Sequence, residues 1–151
     1  MRTVIQRVSH ASVTVHEENY RAEIEEGLLL LAAFCEEDTE EDLEWTARKI
    51  CAMRIFDDEQ GVMNLSVKDT DGEILVISQF TLYASTVKGN RPSYIKAARP
   101  ETAVPLYENF IKKIEEHLQK PAKRGIFGAD MKVDLQNDGP VTIIVDSKLK
   151  F

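Results

Sequence analysis

Cysteine is scarce: Cys35 and Cys51 are the only two in 151 residues, and their separation matches no metal-binding or redox spacing. That excludes a disulfide scaffold, and both thiols are expected to be buried and reduced. Histidine is nearly as rare. His10, His16 and His117 are the three, no pair lies at zinc-ligand spacing, and no His-Glu-x-x-His occurs. The seven glycines are scattered and build no phosphate-cradling loop. No serine carries the nucleophile-elbow pattern, although a Ser-His-Asp set assembled from distant segments stays open. No apolar run approaches the roughly 20 residues that span a bilayer. The opening Met1-Arg2-Thr3-Val4-Ile5-Gln6-Arg7-Val8 starts like a strand, not like a signal peptide. The expectation is a cytoplasmic protein with no membrane partner, no metal and no cofactor. If it is an enzyme, backbone groups and the substrate itself carry much of the work.

What is present fits one domain covering residues 1–151. A chain near this size buries about 68–70% of its unfolded surface, enough for an ordinary core. Net charge is −7, which at first argues against a nucleic-acid partner. The distribution reverses that judgement. Seven of the nine residues from Glu36 to Glu44 are acidic, and setting them aside leaves acids and bases equal at 19 each. From Ile74 to Pro100 there is no acid, while Lys88, Arg91, Lys96 and Arg99 are all basic. Local potential steers a polyanion, so an RNA partner is permitted, although a solvated basic loop explains the charges equally well.

Periodicity predicts many short strands and two main helices. Ala11, Val13 and Val15 alternate with Ser12 and Thr14, Glu18-Asn19 suggests a turn, and residues 21–25 form a returning strand. Leu28 to Phe34 is an unbroken apolar run, short enough for a central strand covered on both faces. The acidic stretch opens a helix capped by Asp38 or Thr39, with Leu43, Ala47, Ile50 and Cys51 on its buried stripe. Strands follow over 53–56 and 63–68. Asp71-Gly72 marks a hairpin, and a strand runs from Glu73 to about Leu82. Ser93 opens a short helix to Ala98. Pro100 starts a longer helix with Leu106, Phe110, Ile111, Ile114 and Leu118 on one face and His117 near its end. Met131, Val133 and Leu135 alternate, Asn137 to Pro140 turns the chain, and residues 141–145 form the last strand. This is an α+β fold with mostly antiparallel pairing.

Two constellations carry chemical information. Ser78-Gln79-Phe80-Thr81-Leu82 ends an apolar strand, where polar residues often rim a pocket. In a regular strand Gln79 and Thr81 share one face and Ser78 and Phe80 the other, so both hydroxyls reach one site only if the strand bends. Thr81 is a candidate nucleophile or orienting hydroxyl, but no base lies near it in sequence. The second is Asn137-Asp138-Gly139-Pro140-Val141-Thr142, where Gly139 permits close approach of a ligand or another backbone. Taken singly, strand-end hydrogen bonding and a plain hairpin turn account for these two stretches.

In this order and at this distance the two motifs resemble the D-aminoacyl-tRNA deacylase family. Val4-Ile5-Gln6-Arg7-Val8 is similar to its opening strand, and Arg54-Ile55-Phe56-Asp57-Asp58 with Met63-Asn64-Leu65-Ser66 to its central hairpin. Lys88-Gly89-Asn90-Arg91-Pro92-Ser93 is similar to its basic loop, and Gly125-Ile126-Phe127-Gly128-Ala129-Asp130-Met131 to the segment before its Gly-Pro turn. Each stretch is weak alone; the ordered set spans essentially the whole chain and departs at no signature position.

The resemblance implies a homodimer of curved sheets approaching a barrel, with the helices packed outside. It implies that the Gly139-Pro140 peptide is cis, although the isomer itself is not written in the sequence, and that it enters the partner's active site. Gly139 and Pro140 would present carbonyls to the substrate's α-carbon, with Arg7 holding that turn. Ser78, Gln79, Phe80 and Thr81 would line the pocket, and Phe127 and Met131 would wall it at the terminal adenosine. The substrates implied are D-aminoacyl-tRNA and glycyl-tRNA, since a rigid main-chain wall rejects an L-residue's Cβ but passes glycine. N–H groups at Phe80 and Thr81 would stabilise the oxyanion of ester hydrolysis. Either Thr81 or the neighbouring ribose hydroxyl would activate the reaction; the lack of a base beside Thr81 favours the ribose. Lys88, Arg91, Lys96 and Arg99 could contact tRNA phosphates. The rivals are a non-catalytic RNA-binding module and a deacylase of the same fold that tolerates small L-residues.

Overall fold

Three strands of the main sheet pair directly with β1, Arg2–Val15, in a computed structural model that describes all 151 residues. One edge of β1 pairs antiparallel along almost its whole length with β8, Lys132–Asp146. Its other edge is shared. β3, Gly27–Ala33, pairs with residues 2–8, and β2, Tyr20–Ile24, pairs with residues 11–15. The two pieces expected at 4–8 and 11–15 are therefore one strand. Its buried residues are Thr3, Ile5, Arg7, Val8, Ala11, Ser12, Val13 and Val15. Ile5 faces the helices and Val8 the interior of the curved sheet, as alternation requires. The parity then slips between Val8 and Ala11, where β1 carries one residue more than β8 (Val8 opposite Asn137, His10 opposite Gln136), so Ala11 and Val13 also face the interior. At its end Asn19 takes a left-handed conformation (φ 49°) that asparagine tolerates.

β3 lies between β1 and β6, Glu73–Ser78, and β6 also pairs with the short β7, Lys123–Arg124. Both β6 pairings are parallel. Parallel neighbours need crossover connections, which α1, Glu40–Ala52, and α2, Pro100–Leu118, supply. Leu28, Leu30, Ile74 and Val76 face the helices and meet Leu43, Ala47, Ile50, Tyr107, Phe110 and Ile114. Leu29, Leu75 and Ile77 face the other way, onto Val8, Ala11, Val13 and Ile24. Burial on both faces is why residues 28–34 are apolar without interruption. The sheet curls until its two edges approach: Tyr20 Oη on β2 donates to the Arg124 carbonyl on β7 at 2.8 Å. The architecture is α+β, mostly antiparallel and nearly closed, with both helices outside.

Both helix starts follow the sequence. The Thr39 N–H donates to Asp42 Oδ2 at 2.9 Å, a capping interaction, and Pro100 occupies the first position of α2. Ala103 and Tyr107 join the expected stripe of α2, while Leu106 is only half-buried. Both cysteines are buried and free.

Four expectations are corrected. The strand expected over 53–56 is the two-residue β4, Phe56–Asp57, and its partner β5, Met63–Leu65, ends before Val67. Asp71-Gly72 is no hairpin: β5 pairs only with β4, and the chain reaches β6 through turns closed by Thr70 N–H to the Ser66 carbonyl (3.2 Å). The strand expected to reach Leu82 stops at Ser78 and becomes a 3-10 turn, Phe80–Tyr83. Ser93 opens no helix, because its N–H and carbonyl are both bonded to Ser85 (2.9 and 2.8 Å), which closes the basic loop.

The C-terminal residues are tied down by carboxylates. Burial works to raise the Asp42 carboxyl. The Lys148 ammonium (2.7 Å), the Thr39 N–H and the Ser147 and Thr39 hydroxyls outweigh it and hold the group well below the usual carboxylate range. Asp146 is likewise lowered, with burial opposed by Arg2 (2.9 Å) and the N–H groups of Lys148 and Leu149. A depressed folded-state pKa gives stability that is fully present above the unfolded carboxylate value, about 3.9, and lost as pH falls through the folded value. Urea unfolding should therefore show little change in stability from pH 7 to 5 and a steep loss below about pH 4. Asp42→Asn should shrink the difference between pH 7 and pH 3; an unchanged difference would contradict this account.

Candidate functional site

A pocket of about 340 Å³ opens at the carboxyl ends of β3 and β6. Parallel strands leave such a crevice where their connections diverge. Ala32 to Phe34 contribute the β3 side, Ile77 to Phe80 the β6 side, and Phe127 to Met131 the opposite wall. The lining is largely apolar, and its volume lies at the small end of the roughly 300–1,000 Å³ typical of small-molecule sites.

The β6 side ends as it does because its partner ends. Gln79 N–H donates to the Ala32 carbonyl at 2.7 Å, the last rung between the two strands, and the chain then tightens into the 3-10 turn. The first bond of that turn is Leu82 N–H to the Gln79 carbonyl (3.2 Å). The N–H groups of Phe80 and Thr81 precede it and have no acceptor inside the turn. Ser78, Gln79 and Phe80 are on the pocket wall; Thr81 is not. Its hydroxyl turns back and accepts from Gln79 Nε2 at 2.6 Å. Asp130 is the one titratable residue in the lining, and its carboxylate is paired with Lys132 at 3.0 Å. No base addresses Thr81. The arrangement offers main-chain donors beside an apolar slot, which suits an anionic intermediate better than a side-chain nucleophile.

The opposite wall is rigid. Phe127 packs on Tyr107 with ring centroids 5.7 Å apart. Tyr107 Oη donates to the Val76 and Gly125 carbonyls at 3.2 and 3.3 Å, and burial pushes this phenol up to about 12, so it remains a donor. Sequence reasoning found Phe127 and Met131. It gave no role to Asp130, which lies between them, and missed Phe34, Ala98 and Ala103, which come from separate segments and form no local pattern.

Residues 137–140 do not reverse the chain. Thr142 stands opposite Gln6 and Asn137 opposite Val8, so Asp138 to Val141 face Arg7 alone. Both flanks stay antiparallel to β1, and the intervening residues form a bulge that loops out of β8. Gly139 has φ 148°, the Gly139-Pro140 peptide is cis, and both residues are exposed. Arg7 lies beneath with its side chain 10% exposed. Its Nε donates to the Asp138 carbonyl at 2.9 Å and its Nη1 to the Ile55 carbonyl at 2.8 Å. Asn137, also missed, laces the neck: its Nδ2 donates to the Arg7 and Val141 carbonyls, both at 2.9 Å. Gly139, Pro140 and Arg7 are absent from the wall of the chain's own pocket.

Lys88, Arg91, Lys96 and Arg99 are exposed and lie off the pocket wall. Lys96 lines a separate groove of about 680 Å³ that it shares with Arg2, Glu36 and Glu37. No three His, Cys, Asp or Glu side chains gather where a metal could sit, and no helix is long and apolar enough to cross a membrane.

Residues 4–146 match the family model described as D-Tyr-tRNA(Tyr) deacylase. A D-aminoacyl-tRNA deacylase of Flavobacterium johnsoniae is 62% identical over 148 residues, covering 98% of each chain. One from Bacteroides thetaiotaomicron is 60% identical over 150 residues, covering 99% of each. Among solved structures, one named c-Myc DNA Unwinding Element Binding Protein superposes with a TM-score of 0.89 at 41% identity, over 97% of this chain and 98% of that one. A probable eukaryotic D-amino acid tRNA deacylase shares the fold, with a TM-score of 0.82 at 16% identity over 95% and 97% of the two chains.

Arg7→Ala would leave the buried Ile55 carbonyl without its donor and release the carbonyl of the exposed Asp138. Urea unfolding should show a loss of about 1–3 kcal/mol, and Arg7→Lys should recover only part of it, because an ammonium cannot reproduce the planar fork. A variant within about 0.5 kcal/mol of the parent would show that the bulge does not depend on this residue.

Proposed function

The chain belongs to the D-Tyr-tRNA(Tyr) deacylase family, and from that premise we propose that it hydrolyses the ester between a D-amino acid and the 3′-terminal adenosine of tRNA. It acts in the cytoplasm as a homodimer, each copy lending its Gly139-Pro140 loop to the pocket of the other. The observation that carries this reading is the loop itself. It is held out from β8 by Arg7 and Asn137, is exposed, and contributes nothing to its own pocket. A second copy gives such a loop a place to act.

The terminal adenosine lies against Phe127 and Met131, and the ester carbonyl lies at the start of the 3-10 turn. Water attacks that carbonyl, and the N–H groups of Phe80 and Thr81 stabilise the oxyanion; one such donor is worth about 10²–10³ in rate. The ester C–O bond then breaks, and the ribose oxygen leaves with a proton. Thr81 Oγ1 already accepts from Gln79 and has no base beside it, which supports assistance from the neighbouring ribose hydroxyl over attack by Thr81. The carbonyls of Gly139 and Pro140 form the chiral wall. A D-residue turns its side chain away, an L-residue drives its Cβ into main chain, and glycine passes, so glycyl-tRNA is also a substrate.

A second reading, nucleic-acid binding without turnover, draws on the solved relative named for binding a DNA unwinding element. The hydrolysis assay separates the two. Without added metal or cofactor, the purified protein should release tyrosine from D-tyrosyl-tRNA and spare L-tyrosyl-tRNA. It should also prefer D-alanyl-tRNA to L-alanyl-tRNA; equal rates would end the chirality argument. Gly139→Ala should lower turnover by about 100-fold, the scale of a misplacement near 1 Å. Its φ suits glycine, and an added Cβ would lie 2.7 Å from both Val141 N and Val141 Cγ2. Thr81→Ala should cost less. A Gly139→Ala enzyme with normal turnover and normal D/L selectivity would remove the loop from the mechanism.

A further inference from the structure

Beyond the pocket, the most unusual surface is at its mouth. Phe80 and Tyr94 are 55% and 40% exposed, and their rings meet edge to face with centroids 5.1 Å apart at 74°. Hydrophobic drive alone does not leave two aromatic rings in solvent, and such a pair presents a ring face on which a planar group can stack. Around it lie Lys88, Arg91, Lys96 and Arg99, all exposed, in a segment with no acid from residue 74 to 100. None of the four side-chain charges forms an ion pair within 4.0 Å, although the Arg99 N–H donates to Glu36 Oε1 at 2.8 Å, whereas Lys113, Lys120, Arg124 and Lys148 are each tied to a carboxylate.

We propose that Phe80 and Tyr94, framed by these four cations, form a stacking platform for the unpaired nucleotides that precede the terminal adenosine of the tRNA substrate. The assignment rests on the reading of the pocket as an aminoacyl-tRNA site. Continuity supports it: Phe80 belongs both to the pocket wall and to the exposed pair, so a strand whose last residue enters the pocket passes over Tyr94. The platform is preorganised. Two backbone bonds between Ser85 and Ser93 close the loop, and Ala97 N–H donates to the Tyr94 carbonyl at 3.0 Å. Charge also favours this path. The neighbouring groove is mixed, with Glu36 and Glu37 set against Arg2 and Lys96 on its wall, whereas Lys88 and Arg91 are exposed and free of ion pairs and attract phosphate. Aromatic stacking needs only the π face of a base, and the unpaired end of a tRNA offers such faces.

The test compares hydrolysis of D-tyrosyl-tRNA with that of the D-tyrosyl ester of adenosine alone. Tyr94→Ala should raise KM for the tRNA substrate on the order of 10-fold with kcat retained. On the adenosine ester, which lacks the stacked nucleotides, it should match the parent; Tyr94→Phe should match the parent on both. Tyr94→Leu, which keeps apolar bulk without a π face, should reproduce the KM effect and guards against a folding defect in the alanine variant. Lys96→Gln should flatten the dependence of log KM on log salt by about 0.7, the single-strand value for one lost phosphate contact. The platform is overturned if Tyr94→Ala or Tyr94→Leu binds the tRNA substrate like the parent, if either loses activity equally on both esters, or if the salt slope is unchanged. A parent enzyme that cleaves neither ester would instead sink the deacylase reading, and the platform with it.

Discussion

The guanidinium of Arg7 joins three parts of the chain that share no other element. It projects from β1, grips the Asp138 carbonyl at the base of the β8 bulge, and grips the Ile55 carbonyl ahead of β4. Both acceptors are main-chain oxygens, so the contact fixes backbone rather than side chains. The carboxylates of Asp57 and Asp138, at 3.5 and 3.8 Å, offset the charge of a largely buried cation. Charge-assisted bonds of this kind are about twice as strong as neutral ones. Without them, Asp138 would have no partner on β1, and only the Asn137 amide would hold the neck of the bulge. One side chain therefore anchors the base of the exposed loop to the hub strand and to the segment ahead of β4.

Much of this was legible in the sequence, for identifiable reasons. The apolar run at 28–34 announced a strand buried on both faces, Thr39 and Pro100 announced helix starts, and Phe127 with Met131 pointed to the pocket. The failures share a cause: local patterns do not record what pairs with what. Asn137 to Pro140 has the composition of a reversing turn, yet the β1 register makes it a bulge. The alternation from Ser78 to Leu82 reads as strand, but β6 loses its neighbour where β3 ends, at Ala33. Ser93 has the chemistry of a helix cap, but its backbone is committed to Ser85. Asn137 carries the most structural weight of the residues missed; its amide fastens carbonyls on β1 and on β8, the first 130 positions away.

Charge shows the same division between total and local description. The acidic run from Glu36 to Glu44 is largely structural: Asp38 receives the buried N-terminal ammonium, Asp42 takes Lys148, and Glu40 and Glu44 bridge to Lys113 and His117 on α2. Those groups tie the helices and the C-terminus to the sheet. The run meets the cationic segment at its start, where Glu36 accepts from the Arg99 N–H and shares a groove with Lys96, and much of the rest of its charge is neutralised on the helical flank.

The pairing of β1 with β8 sets a condition on biosynthesis. Arg2 lies opposite Asp146 and Gln6 opposite Thr142, so β1 waits for a strand made more than a hundred residues later. Contacts of such long sequence separation form late and slowly. One edge of a fourteen-residue strand stays unpaired until then, and unpaired strand edges of this kind are prone to aggregate. The Gly139 bulge cannot exist until that wait is over, so no partly made copy carries a working loop.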